Sequence, residues 1–205
     1  MYTPRAFAID DLQALDALFA RDAFVTLVTS APDGAPLASQ LPVLYRRDGD
    51  ALRIEGHWAR PNPQAAHDGP ALLIVHGPHA YVSPGWYLDK EAAARVPTWN
   101  YATAHLRGRL ERFDDEAALA DLVARTSDVF EARVGGDWHF EPDDERQRRQ
   151  LRGIVGFRFH VDAVAIKHKL SQNHPAANRN AVAEALSAGD ANAREIAAMM
   201  RATDS

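Results

Sequence analysis

The 205 residues predict a mainly β fold with flanking helices (α+β), arranged as an antiparallel barrel. Three observations predict it. Runs rich in β-formers are joined by short turn sequences, few helical patterns interrupt them, and residues 154–169 alternate apolar and polar side chains like a strand with one buried face. Strands joined as hairpins argue against a doubly wound α/β sheet, in which strands alternate with helices.

The chain is predicted to open with a short amphipathic helix. Asp10 is a good N-cap, and Gln13 follows three residues later as in a capping box. The apolar residues expected on the buried face are Leu12, Leu15, Leu18 and Phe19. This pattern indicates packing rather than chemistry.

Runs of β-branched, aromatic and aliphatic residues then predict the strands. Pro32-Asp33-Gly34 and Asp48-Gly49-Asp50 are turn sequences and predict two hairpins. A Gly- and Pro-rich interval, residues 77–87, is predicted to be a loop. The predicted strands are residues 24–29, 37–45, 51–55, 71–75, 101–113 and 154–169.

Two helical segments are predicted before the last strand. Asp114 or Asp115 caps the first, which runs to about residue 132 and ends before Gly135-Gly136. Residues 143–152 are dense in charge and predict a solvated helix.

The C-terminal part of the chain is predicted to be helical. The Ala-rich sequence from Asn178 gives two pieces separated at Gly189-Asp190. We therefore divide the chain into a barrel domain, residues 1–187, and a C-terminal helical tail, residues 188–205.

Composition excludes several classes of function. The 46% apolar and 25% charged residues are typical of a globular protein, and no apolar run is long enough to span a bilayer. The first residues lack a signal-peptide core, so we expect a cytoplasmic protein. Without cysteine there are no disulfides, thiolate metal sites or Cys nucleophiles, and the net charge of −5 gives no general attraction to nucleic acid.

A polar turn after residues 51–55 is the first candidate site. Arg60 lies in this turn, directly before Pro61, and the Ala-rich residues that follow predict the start of a helix. Free N–H groups and the positive dipole end of a helix attract anions, and the forked guanidinium of Arg suits phosphate. The alternative is a surface charge beside an ordinary turn.

Three further clusters combine aromatic and polar residues. Residues 77–87 and 96–101 contain Trp and Tyr, whose flat rings are suited to stacking on a planar ligand and equally to a subunit interface. Residues 167–173 end the last strand with two lysines and several polar side chains.

Other common site types are missing from the sequence. Gly77-Pro78 separates His76 from His79, so the two do not share a helical face, and no His-Glu-x-x-His occurs; we expect no dedicated metal site. There is also no nucleophile elbow, Rossmann glycine pattern or P-loop. A hydrolase or kinase is not supported.

Taken together, these clusters resemble the PaiB family of FMN-binding negative transcriptional regulators. The resemblance runs from residue 1 to about 187. It rests on His57-Trp58-Ala59-Arg60-Pro61-Asn62-Pro63-Gln64, on Gly77-Pro78-His79-Ala80-Tyr81-Val82-Ser83-Pro84 with Trp86-Tyr87, on Pro97-Thr98-Trp99-Asn100-Tyr101, and on Lys169-Leu170-Ser171-Gln172-Asn173. It implies a split β-barrel of the FMN-binding type, related to pyridoxamine-phosphate oxidase, and a homodimer with FMN at the subunit interface.

The resemblance also implies residue roles. A strand containing Ser39, Gln40, Leu41 and Pro42 would use backbone groups along the flavin edge. The residues of the phosphate turn would be His57, Trp58, Ala59, Arg60 and Asn62. Asn100 beside Trp99 would bring an amide to the flavin, and Lys169, Ser171 and Gln172 would act across the dimer. Arg60 lacks the adjacent basic residue that is usual in the superfamily, and Lys169 of the partner subunit would supply a second charge.

Three functions stay open on these grounds. The first is an FMN-binding regulator that represses gene expression directly or indirectly; its only basic run, residues 146–152, is better explained as a solvated helix face that needs no DNA. The second is an FMN-dependent oxidoreductase, with His79, Tyr81 and His105 as possible proton donors. The third is a haem-binding split barrel, which the nine histidines permit. No catalytic residue is assigned.

Overall fold

The computed structural model describes residues 1–202, which form two compact units. We call residues 22–75 together with residues 106–164 the central unit. The terminal unit consists of residues 1–21, residues 76–105 and the chain from Ala165 onward. Each unit has a buried apolar cluster of its own.

Seven strands form one sheet in the order β1-β7-β4-β3-β2-β5-β6, and a further pairing between β7 and β6 closes the circuit as in a barrel. The β1–β7, β2–β3, β2–β5, β3–β4 and β4–β7 pairs are antiparallel. The predicted antiparallel barrel with flanking helices is confirmed. The strands are β1 Ala8–Ile9, β2 Phe24–Ser30, β3 Pro36–Asp48, β4 Ala51–Ala59, β5 Gly69–Val82, β6 Thr98–Phe113 and β7 Ile154–Lys169.

Five helices accompany the strands in residues 1–202, together with single turns of 3-10 helix at Arg5–Phe7, Pro63–Ala66, Pro84–Trp86 and Leu151–Gly153. The helices are α1 Gln13–Arg21, α2 Glu116–Val134, α3 Glu145–Gln150, α4 Ala176–Ser187 and α5 Ala191–Ala202. In this part of the chain, no helix combines the length and the apolar character that crossing a membrane would require.

Two hairpins build the central unit. Gly34, between β2 and β3, has a φ of +84°, and Gly49, between β3 and β4, has a φ of +58°. Side chains disfavour this left-handed region, which is why glycine occupies both turns. Both predicted hairpins are confirmed.

The helices of the central unit follow their predicted signals. Asp115 caps α2 by accepting a hydrogen bond from the Ala118 N–H at 2.9 Å, and Gly135 ends the helix in the left-handed conformation. Leu119 of α2 packs with Phe140 and Leu151. This cluster covers the end of the unit where α3 leads into β7.

The terminal unit has the larger helical core. α4 and α5 pack against the ends of β5 and β7 through Val82, Leu170, Val182 and Ile196. The two predicted pieces of C-terminal helix are confirmed as α4 and α5. The boundary at residue 187 between a domain and a tail stays a prediction, and the last three residues of that tail lie outside the described part of the chain.

Two local expectations were wrong. The N-terminal helix is capped by Asp11, whose Oδ1 accepts from the Gln13 N–H at 2.8 Å, rather than by Asp10. The interval 77–87 is not all loop, because β5 continues to Val82. Gly77 is needed in that strand because a Cβ there would lie 2.7 Å from the Ala102 carbonyl oxygen.

Candidate functional site

The predicted cofactor-binding residues fall into two groups, one in each unit. The central group consists of Ser39, Gln40, Leu41, Pro42, His57, Trp58, Ala59, Arg60 and Asn62. The terminal group consists of Trp99, Asn100, Lys169, Ser171 and Gln172.

The first half of β3 presents an open edge to a ligand. The ladder between β3 and β4 begins at Val43↔Gly56, so residues 36–41 lie before it and pair only on their β2 side within the described residues. The Val43 N–H donates to the carbonyl of Ala23, the residue before β2, at 3.0 Å, so Val43 faces β2. Because backbone groups alternate between the two edges of an antiparallel strand, those of Ala38 and Gln40 face away from β2.

Arg60 follows β4 and is fixed by neutral backbone groups. Its Nε donates to the Arg152 carbonyl at 2.7 Å, and its Nη2 donates to the Ile154 carbonyl at 3.0 Å. The Asp114 carboxylate lies 3.7 Å from Nη1. Carbonyls orient a guanidinium without cancelling its charge, and the protons on Nη1 are not used by them. Arg60 is therefore a positioned cation, which is what phosphate binding requires.

The turn after Arg60 differs from the sequence expectation. Pro63–Ala66 form one turn of 3-10 helix, and the first N–H of that turn, on Gln64, donates to Asn62 Oδ1 at 2.9 Å. The predicted helix N-terminus was wrong, because so short a turn has little dipole and its leading N–H is already capped. Asn62 Nδ2 also donates to Ser39 Oγ at 2.9 Å, which brings the turn onto β3.

Gln64 is the residue of this turn to which sequence reasoning gave no role. It is buried, and its Nε2 lies within hydrogen-bond distance of three acceptors. These are the Leu27 carbonyl at 3.2 Å, Thr29 Oγ1 at 3.0 Å and the Leu37 carbonyl at 3.0 Å. Gln64 therefore ties the turn to both β2 and β3. In the sequence, the signal for this role was limited to the amide of Gln64 followed by two alanines.

The end of β4 has one buried and one half-buried face. Trp58 is buried against Phe157, with ring centroids 4.5 Å apart, and Leu41 of β3 is buried too, so both side chains belong to the core. His57 is half-buried on the opposite face, and burial lowers the pKa of its imidazole. At neutral pH the ring is uncharged and can donate or accept one hydrogen bond. Ala59 is exposed.

In the terminal group, Asn100 and Ser171 bond to each other. Asn100 Nδ2 lies 3.1 Å from Ser171 Oγ, the Ser171 hydroxyl donates back to Asn100 Oδ1 at 3.2 Å, and Met200 Sδ lies 3.4 Å from Nδ2. Asn100 is 0% exposed. These contacts join β6, the end of β7 and α5. A flavin contact by Asn100 stays a prediction.

Gln172 and Lys169 have different uses. The Gln172 amide donates to the His168 carbonyl at 2.6 Å and accepts from the Leu170 N–H at 2.7 Å, so it closes the end of β7 on itself. Lys169 Nζ donates to Thr98 Oγ1 and, at 2.9 Å, to the Trp99 carbonyl. Both of these acceptors are neutral, so the ammonium keeps its charge. Burial lowers its pKa below the ordinary value for lysine.

An exposed aromatic cluster lies on β5 and β6 of the terminal unit. The Trp99 ring lies 5.9 Å from Tyr81 and 6.0 Å from His79 between centroids. Trp99 is 52% exposed and Tyr81 45%, which is unusual for side chains of this size. Among residues 1–202 no three His, Asp or Glu side chains are grouped to hold a metal ion.

The central group has the donor set that FMN requires. Arg60 would offer a fixed cation to the phosphate, Asn62 lies in the same turn, and the neutral His57 lies near the end of β4. The open edge of β3 supplies backbone donors and acceptors of the kind that match the polar edge of a flavin ring. These residues fit the cofactor.

The sequence matches the model of a protein family described as "Putative FMN-binding domain" over residues 1–163. A relative in Bacillus subtilis (strain 168), "Protease synthase and sporulation protein PAI 2", is 29% identical over 206 residues, covering 98% of this chain and 96% of that protein. The resemblance to the PaiB family is confirmed by these matches.

Solved structures share the fold at low identity. The FAD and haem binding protein from Mycobacterium smegmatis superposes with a TM-score of 0.57 at 18% identity, covering 79% of this chain and 73% of that chain. A structure described as a putative 5-nitroimidazole antibiotic resistance protein from Bacteroides thetaiotaomicron VPI-5482 gives 0.56 at 12% identity, covering 78% and 85%. Both support the split-barrel fold.

Proposed function

The chain belongs to the putative FMN-binding domain family, whose cofactor is FMN, and we propose that the FMN binds along the open edge of β3 with its phosphate at Arg60. The observation that carries this proposal is the placement of a fixed cation beside an unpaired strand edge. Asn62 joins the two, since its side chain bonds Ser39 of β3.

Each part of this site has a distinct task. The backbone of Gln40 hydrogen-bonds the ring edge, and the Nη1 protons of Arg60 bind phosphate oxygens in place of the distant Asp114 carboxylate. The neutral imidazole of His57 adds a hydrogen bond without adding charge. FMN, when bound, supplies electron and hydride transfer, while the protein supplies binding and orientation.

A ratio of two affinities tests the phosphate assignment. We expect the wild-type protein to bind FMN at least about tenfold more tightly than riboflavin, which lacks the phosphate. Arg60→Ala should bring that ratio close to one with little change for riboflavin, because only the phosphate contact is lost. Fluorescence titration of both flavins measures this, and an absorption spectrum of the purified protein distinguishes flavin from haem.

The matched control is Arg46→Ala, which removes an exposed arginine from the second half of β3. It should leave the FMN to riboflavin ratio unchanged. An Arg60→Ala protein that still prefers FMN as strongly as wild type would show that another group binds the phosphate.

The second part of the proposal is a homodimer with the flavin between protomers. The exposed Trp99 and Tyr81 form a flat aromatic surface of the kind enriched in interfaces, and a second copy is the occupant that we propose for it. Trp99→Glu should convert the dimer to a monomer in sedimentation equilibrium, whereas Trp138→Glu, at another exposed tryptophan, should not. A wild-type monomer at micromolar concentration would contradict this part.

The third part is that any effect on gene expression is indirect. Three of the four arginines of the basic run are already paired, among them Arg146 with Asp144 at 2.9 Å and Arg148 with Glu116 at 3.0 Å. Arg149 bonds Glu145 in the same helix. Paired cations release few counterions on meeting DNA, so we expect no salt-sensitive binding of duplex DNA at low ionic strength. Binding that is lost when Arg148, Arg149 and Arg152 are neutralised would favour direct repression.

A further inference from the structure

The terminal unit contains a cavity of about 400 Å³ that the flavin proposal does not use. That volume lies within the range of small-ligand sites. Its polar lining includes Tyr87, Arg95, Thr98, Lys169, Asn173 and His174. None of the described residues that line it carries a carboxylate, so the charge inside the cavity is positive.

Lys169 provides the charge that a ligand can use. Its Nζ is held by two neutral oxygens, Thr98 Oγ1 and the Trp99 carbonyl, which use two of its three protons. The third proton is available, and the ammonium is fixed in place before any ligand arrives. Removal from water makes such a cation a stronger partner for an anion than a surface lysine.

The charge of Arg95, by contrast, is already compensated by Asp89, a residue that does not line the cavity. Its Nε and Nη2 form a fork on the Asp89 carboxylate at 2.9 and 2.5 Å, and Asn178 Nδ2 donates to the same carboxylate at 2.8 Å. Nη1 lies 3.0 Å from His174 Nδ1. Because Arg can only donate, His174 must accept at Nδ1 and carry its proton at Nε2. The imidazole is thereby fixed as a neutral hydrogen-bond donor.

Tyr87 has a polar group that the protein itself leaves unsatisfied. The residue is 3% exposed, and within residues 1–202 its hydroxyl oxygen has no hydrogen-bond partner. Its ring packs on His174 with centroids 4.9 Å apart. A buried hydroxyl without a partner costs free energy, and a ligand oxygen would relieve that cost.

We propose that this cavity binds a small organic acid, with the carboxylate on Lys169 and the apolar body against Phe7, Val96 and Tyr87. The cation selects an anion, the tyrosine hydroxyl and His174 supply further donors, and the apolar part of the lining selects a carbon skeleton over an inorganic ion. The site uses terminal-unit residues of one chain and does not depend on bound flavin.

Calorimetric titration with benzoate tests the proposal, and benzamide is the neutral isosteric control. We expect saturable one-to-one binding of benzoate and at least about tenfold weaker binding of benzamide, as loss of a charge-assisted contact implies. Lys169→Met should weaken benzoate binding about tenfold or more, and Tyr87→Phe about threefold. Lys90→Met, which removes an exposed lysine from the neighbouring loop, is the matched control and should bind benzoate like wild type.

Flavin titrations separate this site from the FMN site. Arg60→Ala should lose the preference for FMN and keep benzoate binding, so each proposal can fail alone. Competitive displacement of benzoate by FMN would overturn the inference and return Lys169 to the flavin. Equal binding of benzoate and benzamide, or no binding of benzoate, would overturn it as well. If Lys169→Met does not fold, as judged by circular dichroism, an undiminished affinity in Tyr87→Phe decides against the site.

Discussion

Arg60 of the central unit and Arg95 of the terminal unit are both held in place by hydrogen bonds, yet their partners suit them to opposite tasks. Arg60 is oriented by two neutral carbonyls, with its nearest carboxylate 3.7 Å away. Arg95 is forked on Asp89 at hydrogen-bond distance. The partner therefore decides the role: a cation held by carbonyls still attracts an anion, whereas a cation held by a carboxylate stabilises a loop.

The largest effect is expected where the Arg60 turn is anchored. Gln64→Leu removes a buried amide that bonds two carbonyls of the β2–β3 ladder and the Thr29 hydroxyl. The free energy of unfolding should fall by about 3 kcal/mol in urea denaturation. Gln40→Leu, at an exposed position on β3, should change it by less than about 0.5 kcal/mol. Similar losses in both variants would mean that Gln64 does not anchor the turn.

A second effect concerns the buried pair of the terminal unit. Asn100→Ala should lower the free energy of unfolding by about 2 kcal/mol, because it leaves the buried Ser171 hydroxyl without this hydrogen-bond partner. Ser171→Ala should cost about 1 kcal/mol, and the double variant should cost clearly less than the sum. Strict additivity in the denaturation series would contradict a direct bond between the two side chains.

The pH dependence of unfolding tests the carboxylate partner that distinguishes Arg95 from Arg60. The bonds from Arg95 lower the pKa of Asp89 to about 2, below its ordinary value of 3.8. A lowered pKa in the folded state stabilises the protein above pH 3.8, and this stability is lost as pH falls towards 2. Unfolding measured from pH 5 to pH 2 should show a shallower decline in Asp89→Asn than in wild type. Parallel profiles would show that the Arg95 fork contributes no pH dependence.

The smallest expected effect is on flavin affinity. Asp114→Asn removes the only carboxylate that the structure places within 4 Å of Arg60, in the described residues. The pair is exposed and long, so the gain in FMN affinity should be about two- to threefold, measured by fluorescence titration at low salt. Asp115→Asn, which alters the neighbouring helix cap, should not improve it. A loss of affinity in Asp114→Asn would mean that Asp114 positions Arg60 rather than competing for it.

Much of the fold could be predicted because its signals are local. The alternation in residues 154–169 gave β7 with its observed bounds, and the glycine turns gave both hairpins. The second half of β5 was not predicted, because Gly77-Pro78 is typical of a turn. In the structure, Gly77 is required by tight packing against a neighbouring backbone.

The site could be predicted as a set of residues and not as a set of roles. Arg60 and Lys169 were identified as cations, but the three carbonyls and the hydroxyl that hold them come from positions 92, 94, 70 and 71 residues away. Whether a polar group is used by the fold or remains for a ligand depends on such distant partners. For the same reason, Gln64 and Arg95 had no predicted role, and Tyr87 was identified only as part of an aromatic cluster.

The open edge of β3 has one more consequence, because an unpaired strand edge is a template for aggregation. Pro36 and Pro42 stand at the two ends of that edge, at the alternate positions that face away from β2. Proline has no N–H to donate, so between them only Ala38 and Gln40 offer donors. Two donors are enough for a small ring and too few for another chain's strand. The prolines thus protect the protein from edge-to-edge association while the edge stays open to a cofactor.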